Sequence, residues 1–188
     1  DLRALAEEAV RLGYTAVKTN LFPLADRPDA QAAAGRATES GELTGPVRRN
    51  AEAIIGTLRE SFGPDVDIAL DVAFRFKLGG AIKLAQALES YDLMWLEVET
   101  FDPEALRLIR TATRTTICTG ESLFGTLGFR PYLERQAQDI VMPDLAWNGI
   151  TMGKKIADLA HAYETRCAFH NCHSPLTTLV TANVAATI

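Results

Sequence analysis

Thr115-Thr116-Ile117-Cys118-Thr119-Gly120-Glu121 is a short β-branched and apolar run that closes on a carboxylate, and Asp139-Ile140-Val141-Met142-Pro143-Asp144 closes the same way. Between them, Gly128 to Gln136 carries its apolar residues at helical spacing. Strand, acid, helix, strand, acid is the unit of a parallel sheet covered by helices, because parallel neighbours need a crossover long enough to hold a helix. Outward from this stretch the unit recurs at intervals of roughly 25 residues. Strands are expected at Ala16 to Thr19, Asp67 to Val72, Leu93 to Val98, Thr115 to Thr119, Asp139 to Met142 and Arg166 to Phe169. Helices are expected at Leu2 to Leu12, Pro46 to Ser61, Gly79 to Ser90, Pro103 to Thr111, Gly128 to Gln136, Ile150 to Tyr163 and Pro175 to Ile188.

Such a series makes most of an α/β barrel of the TIM type. The competing arrangement, an open doubly wound sheet, usually carries a glycine-rich phosphate turn after its first strand, whereas here that strand runs into Lys18-Thr19-Asn20-Leu21-Phe22. The segment from Leu21 to Thr44, rich in Ala, Gly, Asp and Pro, is long for a connection and reads as a loop over the site or as a surface excursion.

Composition narrows the classes. With 47% hydrophobic residues in 188, the chain can bury a large core. The net charge of −5, with no basic cluster longer than Arg48-Arg49, argues against nucleic acid as a partner. Cys118, Cys167 and Cys172 form no CxxC pair and are too few for a disulfide framework, so a reducing, cytoplasmic setting is expected. No apolar run approaches the roughly eighteen residues of a membrane span. The chain opens at Asp1 already inside a helical pattern and is read as an internal fragment.

In a (β/α) barrel the C-terminal ends of the strands form the active face. In order, those ends carry Lys18 and Asn20, then Asp71, Glu97 with Glu99, Glu121, Asp144, and His170 with His173. One carboxylate at a strand end is ordinarily a helix cap or a solvated loop charge. Asp71, Glu97 and Glu121, one unit apart each, would point three like charges into one mouth and so require a cation. An all-oxygen set suits Mg²⁺ or Mn²⁺, magnesium being the better fit. Asp144 and His170, on the next two strand ends, have the form of an oriented general base. Glu99 shares the strand parity of Glu97 and is read as an acid supporting the ligands or, chiefly, as a loop charge, Trp147 as either pocket lining or packing, and His161 as a helix-surface residue.

These residues in this order resemble the mandelate racemase and muconate lactonizing enzyme family of the enolase superfamily. The resemblance rests on Val17-Lys18-Thr19-Asn20, Leu70-Asp71, Trp95-Leu96-Glu97, Gly120-Glu121, Met142-Pro143-Asp144 with Gly149-Ile150-Thr151, and Ala168-Phe169-His170, and covers essentially the whole chain. It implies a modified (β/α)7β barrel, of which residues 1–188 would be a part lacking the N-terminal capping domain and the terminal barrel strands. It also implies Mg²⁺ on Asp71, Glu97 and Glu121, His170 paired with Asp144 as base, a small-molecule carboxylate substrate, and a homo-oligomer.

Two departures refine the expectation. Asn20 stands where racemases of this family carry the second lysine of Lys-x-Lys, the base for the opposite face of the α-carbon. A dehydratase needs one base and an acid for the departing hydroxyl, so Asn20 turns the expectation toward a lyase resembling the galactonate and gluconate dehydratases, acting on a sugar acid. In those enzymes the run after the seventh strand is comparable to His170-Asn171-Cys172-His173-Ser174-Pro175, which brings in His173, with Asn20 and Trp147, as substrate contacts. Ala73 replaces a histidine that some of them use as acid. The second departure is Glu97-Val98-Glu99-Thr100, where the family commonly reads Glu-Glu-Pro. Lys18 is expected to steady the substrate carboxylate or enolate, or to form a salt bridge. A sugar-acid epimerase, racemase or cycloisomerase on the same scaffold is the nearest rival. A non-catalytic sugar-acid-binding barrel is the rival of another class.

Overall fold

The structure, a computed structural model, describes residues 2–21 and 40–188. Most of the long connection expected from Leu21 to Thr44 lies outside these residues. The chain divides into two compact units, residues 1–98 with 111–116, and residues 99–110 with 117–188.

In the first unit, α1 (Leu2–Arg11) leads into β1 (Ala16–Asn20), α2 (Gly45–Phe62), β2 (Asp67–Asp71), α3 (Leu78–Leu88), a 3-10 turn (Glu89–Tyr91) and β3 (Trp95–Glu97). The three strands pair in parallel and in chain order, with Asn20 beside Asp71 and Asp71 beside Glu97. Ile68, Ala69 and Leu70 of β2 are all buried, as a parallel strand covered on both faces requires. The α2 helix starts where Thr44 Oγ1 accepts from Val47 N and Pro46 supplies a preset first turn, and it stops at Gly63, whose φ of 71° is the left-handed region. Its apolar stripe, Val47, Ala51, Ile54, Ile55 and Leu58, is buried. Arg59, near its end, holds four loop carbonyls, those of Gly63, Val66, Tyr91 and Asp92, at 2.8 to 3.1 Å. One guanidinium thereby satisfies backbone acceptors that precede β2 and β3.

In the second unit, α4 (Pro103–Thr111, whose last residue belongs to the first unit) is followed by β4 (Ile117–Thr119), α5 (Gly125–Glu134) and β5 (Ile140–Val141). The four-residue α6 (Leu145–Asn148), α7 (Ile150–Ala162), β6 (Arg166–Cys167) and α8 (Pro175–Ala185) complete it. Its strands are again parallel and in chain order, and an isolated bridge between Asp144 and His170 extends the pairing at the C-terminal end. Asp139 aligns this set, accepting from Arg110 Nε at 2.7 Å and from Ile117 N at 2.9 Å.

All six expected strands and seven expected helices are present, the strands mostly shorter by one to three residues. The spacing did not predict α6, which is too short to show a period. α5 begins three residues earlier than expected because Asn148 Oδ1 accepts from Gly125 N at 2.8 Å, and it carries Pro131 internally. No helix among the described residues is long and apolar enough to cross a membrane.

Candidate active site

The first unit brings Lys18, Asp71 and Glu97 together at its strand ends. Asp71 Oδ1 accepts from Ala73 N at 2.9 Å, a turn that holds Ala73 at φ 45°. Glu97 is almost wholly buried, and its Oε1 accepts from Trp95 Nε1 at 2.7 Å. Trp95 and Glu97 are two residues apart, hence on one face of β3. Each carboxylate keeps an oxygen toward the same ammonium. Lys18 Nζ lies 2.9 Å from Glu97 Oε2 and 4.0 Å from Asp71 Oδ2. Oxygen donors already gathered about one positive charge suit a hard divalent cation. Asn20 ends β1 in register with Asp71.

The second unit brings Glu121, Asp144, His170, His173 and Trp147 together. Asp144 is fully buried and caps α6: its Oδ1 accepts from Ala146 N at 2.7 Å and Trp147 N at 3.0 Å. Its Oδ2 faces His170 Nδ1 at 2.6 Å and His173 Nε2 at 2.9 Å. Burial pushes the Asp144 carboxyl upward, but the bonds from His170, Trp147, His173 and Ala146 outweigh it and hold the group below its usual value. Asp144 is thus a fixed anion.

His170 is buried, with its second nitrogen, Nε2, 3.0 Å from Glu121 Oε2. Carboxylates at both ring nitrogens are the partners an imidazolium satisfies, since both its nitrogens donate. Trp147 lies against both histidines, its ring 6.0 Å from that of His170 and 5.7 Å from that of His173, and it stacks on Phe124 at 6.3 Å. His161 is exposed on α7, as expected.

Glu99 corrects the expectation of a loop charge. It is buried, and its Oε1 accepts from Thr119 Oγ1 at 2.9 Å and from Gly120 N at 2.7 Å. Burial pushes its carboxyl up to about 7, with Glu121 adding in the same direction, against the lowering effect of the bonds from Gly120 and Thr119. Its parity with Glu97 was the only signal in the sequence. Nothing there showed that the backbone after β4 would turn an N–H onto it.

The match to known proteins extends over the chain. Residues 1–188 fit the family described as enolase C-terminal domain-like. A D-xylonate dehydratase of Haloferax volcanii is 36% identical over 99% of the chain and 45% of its own length. ManD, a D-galactonate dehydratase family member of Chromohalobacter salexigens, is 32% identical over 86% of the chain and 43% of its own length. A Rubrobacter xylanophilus protein described as mandelate racemase/muconate lactonizing enzyme-like superposes with a TM-score of 0.86 at 33% identity, over 97% of the chain and 45% of its own. A Burkholderia xenovorans protein, provisionally named an L-alanine-DL-glutamate epimerase and crystallised with magnesium and fumarate, superposes with a TM-score of 0.91 at 33% identity, over 100% and 47%. The chain spans about half the length of each.

Proposed function

The chain belongs to the enolase C-terminal domain-like family of the enolase superfamily, a partial barrel domain in fold, and from that premise we propose that it serves a Mg²⁺-dependent acid-sugar dehydratase. The observation that carries the proposal is His170 fixed at Nδ1 by a buried, four-bonded Asp144. With Nδ1 held by Asp144, Nε2, which stands 3.0 Å from Glu121 Oε2, is the nitrogen proposed as the base.

Asp71, Glu97 and Glu121 are the proposed ligands. A bound Mg²⁺, for which Mn²⁺ would substitute, would accept the substrate carboxylate and stabilise the dianion formed on loss of the α-proton. His170 Nε2 takes that proton, and the resulting imidazolium is stabilised by Asp144. The β-carbon–oxygen bond then breaks, hydroxide leaves with a proton from His170 or His173 as water, and the enol tautomerises to a 2-keto-3-deoxy acid. Lys18 would offset charge beside Glu97, while Asn20 and Trp147 would contact substrate.

The relatives named as D-xylonate and D-galactonate-type dehydratases support this reaction, and Asn20 in place of a second lysine base supports a single-base process. The epimerase name of one solved relative supports the nearest rival, isomerisation of an acid on the same scaffold.

The test is a screen of the full-length protein with Mg²⁺ against aldonic and aldaric acids, detecting 2-keto-3-deoxy products with semicarbazide. A product is expected, together with a Mg²⁺-induced rise in melting temperature that Glu121→Gln abolishes. Exchange of the α-proton in deuterated water without water release would replace the dehydratase reading by the isomerase one. Silence in both assays, with Mg²⁺ bound, would leave a non-catalytic sugar-acid-binding barrel.

A further inference from the structure

His170, Cys172 and His173 stand together at the end of β6, and one ligand atom from each lies within 4.8 Å of the other two. Two imidazole nitrogens and a thiol are a borderline-soft donor set, different in kind from the carboxylates proposed for magnesium. Around a tetrahedral Zn²⁺, with bonds of about 2.0 to 2.3 Å, neighbouring donors stand about 3.3 to 3.8 Å apart. The trio, with no separation above 4.8 Å, therefore comes to this spacing with a closure of at most about 1.5 Å.

That closure falls on a short segment anchored at both ends. His170 N donates to Pro143 O at 3.1 Å on one side, and Ser174 caps α8 on the other, accepting from Thr177 N. Cys172 is a free thiol and exposed, so an ion reaches it from solvent. Asp144 Oδ2 faces His170 Nδ1 and His173 Nε2, so a metal held by the other two ring nitrogens, His170 Nε2 beside Glu121 Oε2 and His173 Nδ1, would have that carboxylate behind both rings, the usual device that orients ligating histidines.

We propose that His170, Cys172 and His173 form a second metal site, selective for Zn²⁺ over Mg²⁺, and that its occupation switches the enzyme off by taking the nitrogen lone pair of His170. Zinc binding forms a Zn–S bond and two Zn–N bonds, and the thiol proton and any displaced ring proton pass to the buffer. The metal-binding half stands on the geometry of the trio alone. The inhibitory half rests on the reading of His170 as base.

The experiment uses the full-length protein in excess Mg²⁺, wild type against Cys172→Ser, with Zn²⁺ affinity from a chelator competition and Co²⁺ as a spectroscopic probe. Wild type is expected to give a thiolate-to-cobalt charge-transfer band and to bind Zn²⁺ on the order of a hundredfold more tightly than Cys172→Ser. The variant is also expected to keep its basal rate of α-proton exchange and to lose inhibition by Zn²⁺. Equal Zn²⁺ affinity in the two proteins, with no thiolate band, would overturn the site. A thiolate band with exchange undiminished by Zn²⁺ would overturn the inhibition while keeping the site. Exchange absent even without Zn²⁺ would count against the dehydratase reading, and the band and affinity would still decide the metal site.

Discussion

Asp144 Oδ2 lies 2.6 Å from His170 Nδ1 and 2.9 Å from His173 Nε2, so one buried oxygen serves two imidazoles. Asp144→Asn keeps the volume and an acceptor for Ala146 and Trp147 but replaces the anion by a neutral group. Exchange of the substrate α-proton is expected to fall on the order of 10²- to 10⁴-fold, with Mg²⁺ affinity unchanged. Wild-type exchange in this variant would remove the pairing from the mechanism.

Glu99 gives a pH dependence of defined sign. Its folded-state value of about 7 stands above the ordinary 4.5, so between those values the native state holds more protons than the unfolded one. The stabilisation from the neutral carboxyl is complete below pH 4.5 and is lost as pH rises through 7, by at most about 3 kcal/mol. Urea unfolding of metal-free protein at pH 5 and pH 8 should show this fall in wild type and a flat profile in Glu99→Gln. The same slope in both proteins would assign the effect elsewhere.

Gly120 sits at φ 120°, and a Cβ there would come within 2.6 Å of Phe129 Cε1. Gly120→Ala therefore meets backbone strain and overpacking together, and is expected to cost about 3 kcal/mol. The denaturation midpoint should drop with an unchanged slope. Stability equal to wild type would mean that the turn before Glu121 can relax.

Lys18 occupies the side of Glu97 and Asp71 where a cation would be held. Lys18→Met removes a like charge from an incoming Mg²⁺. Binding measured calorimetrically is expected to tighten roughly fivefold, the ~1 kcal/mol of a water-screened pair, while proton exchange falls. Weaker Mg²⁺ binding would show that Lys18 instead gathers the two carboxylates.

The element series was legible because parallel strands buried on both faces read as apolar runs, and Ile68-Ala69-Leu70 is one of them. Asp71, Glu97 and Glu121 were legible as carboxylates at strand ends because Asp71 and Glu97 end such runs and Glu121 follows one across Gly120. Asp144 and His170 were expected at neighbouring ends and do share a bridge. What stayed hidden depends on contacts far apart in sequence. Asn148 reaches Gly125 and extends α5, Gly120 N turns onto Glu99, and His173 shares the oxygen that holds His170. Periodicity reports which face of an element is buried and carries no record of which loop amide meets which carboxylate.

The cap of α6 has a consequence for heat tolerance. The oxygen that caps the N-terminus of this four-residue helix and the oxygen that steadies the imidazole belong to one side chain. Fraying of the helix and loss of an aligned ring are therefore a single local event, and a helix this short opens at a small fraction of the free energy of global unfolding. Amide exchange at Ala146 and Trp147 would then mark the temperature at which the His170 ring loses its alignment, while the parallel strands remain intact.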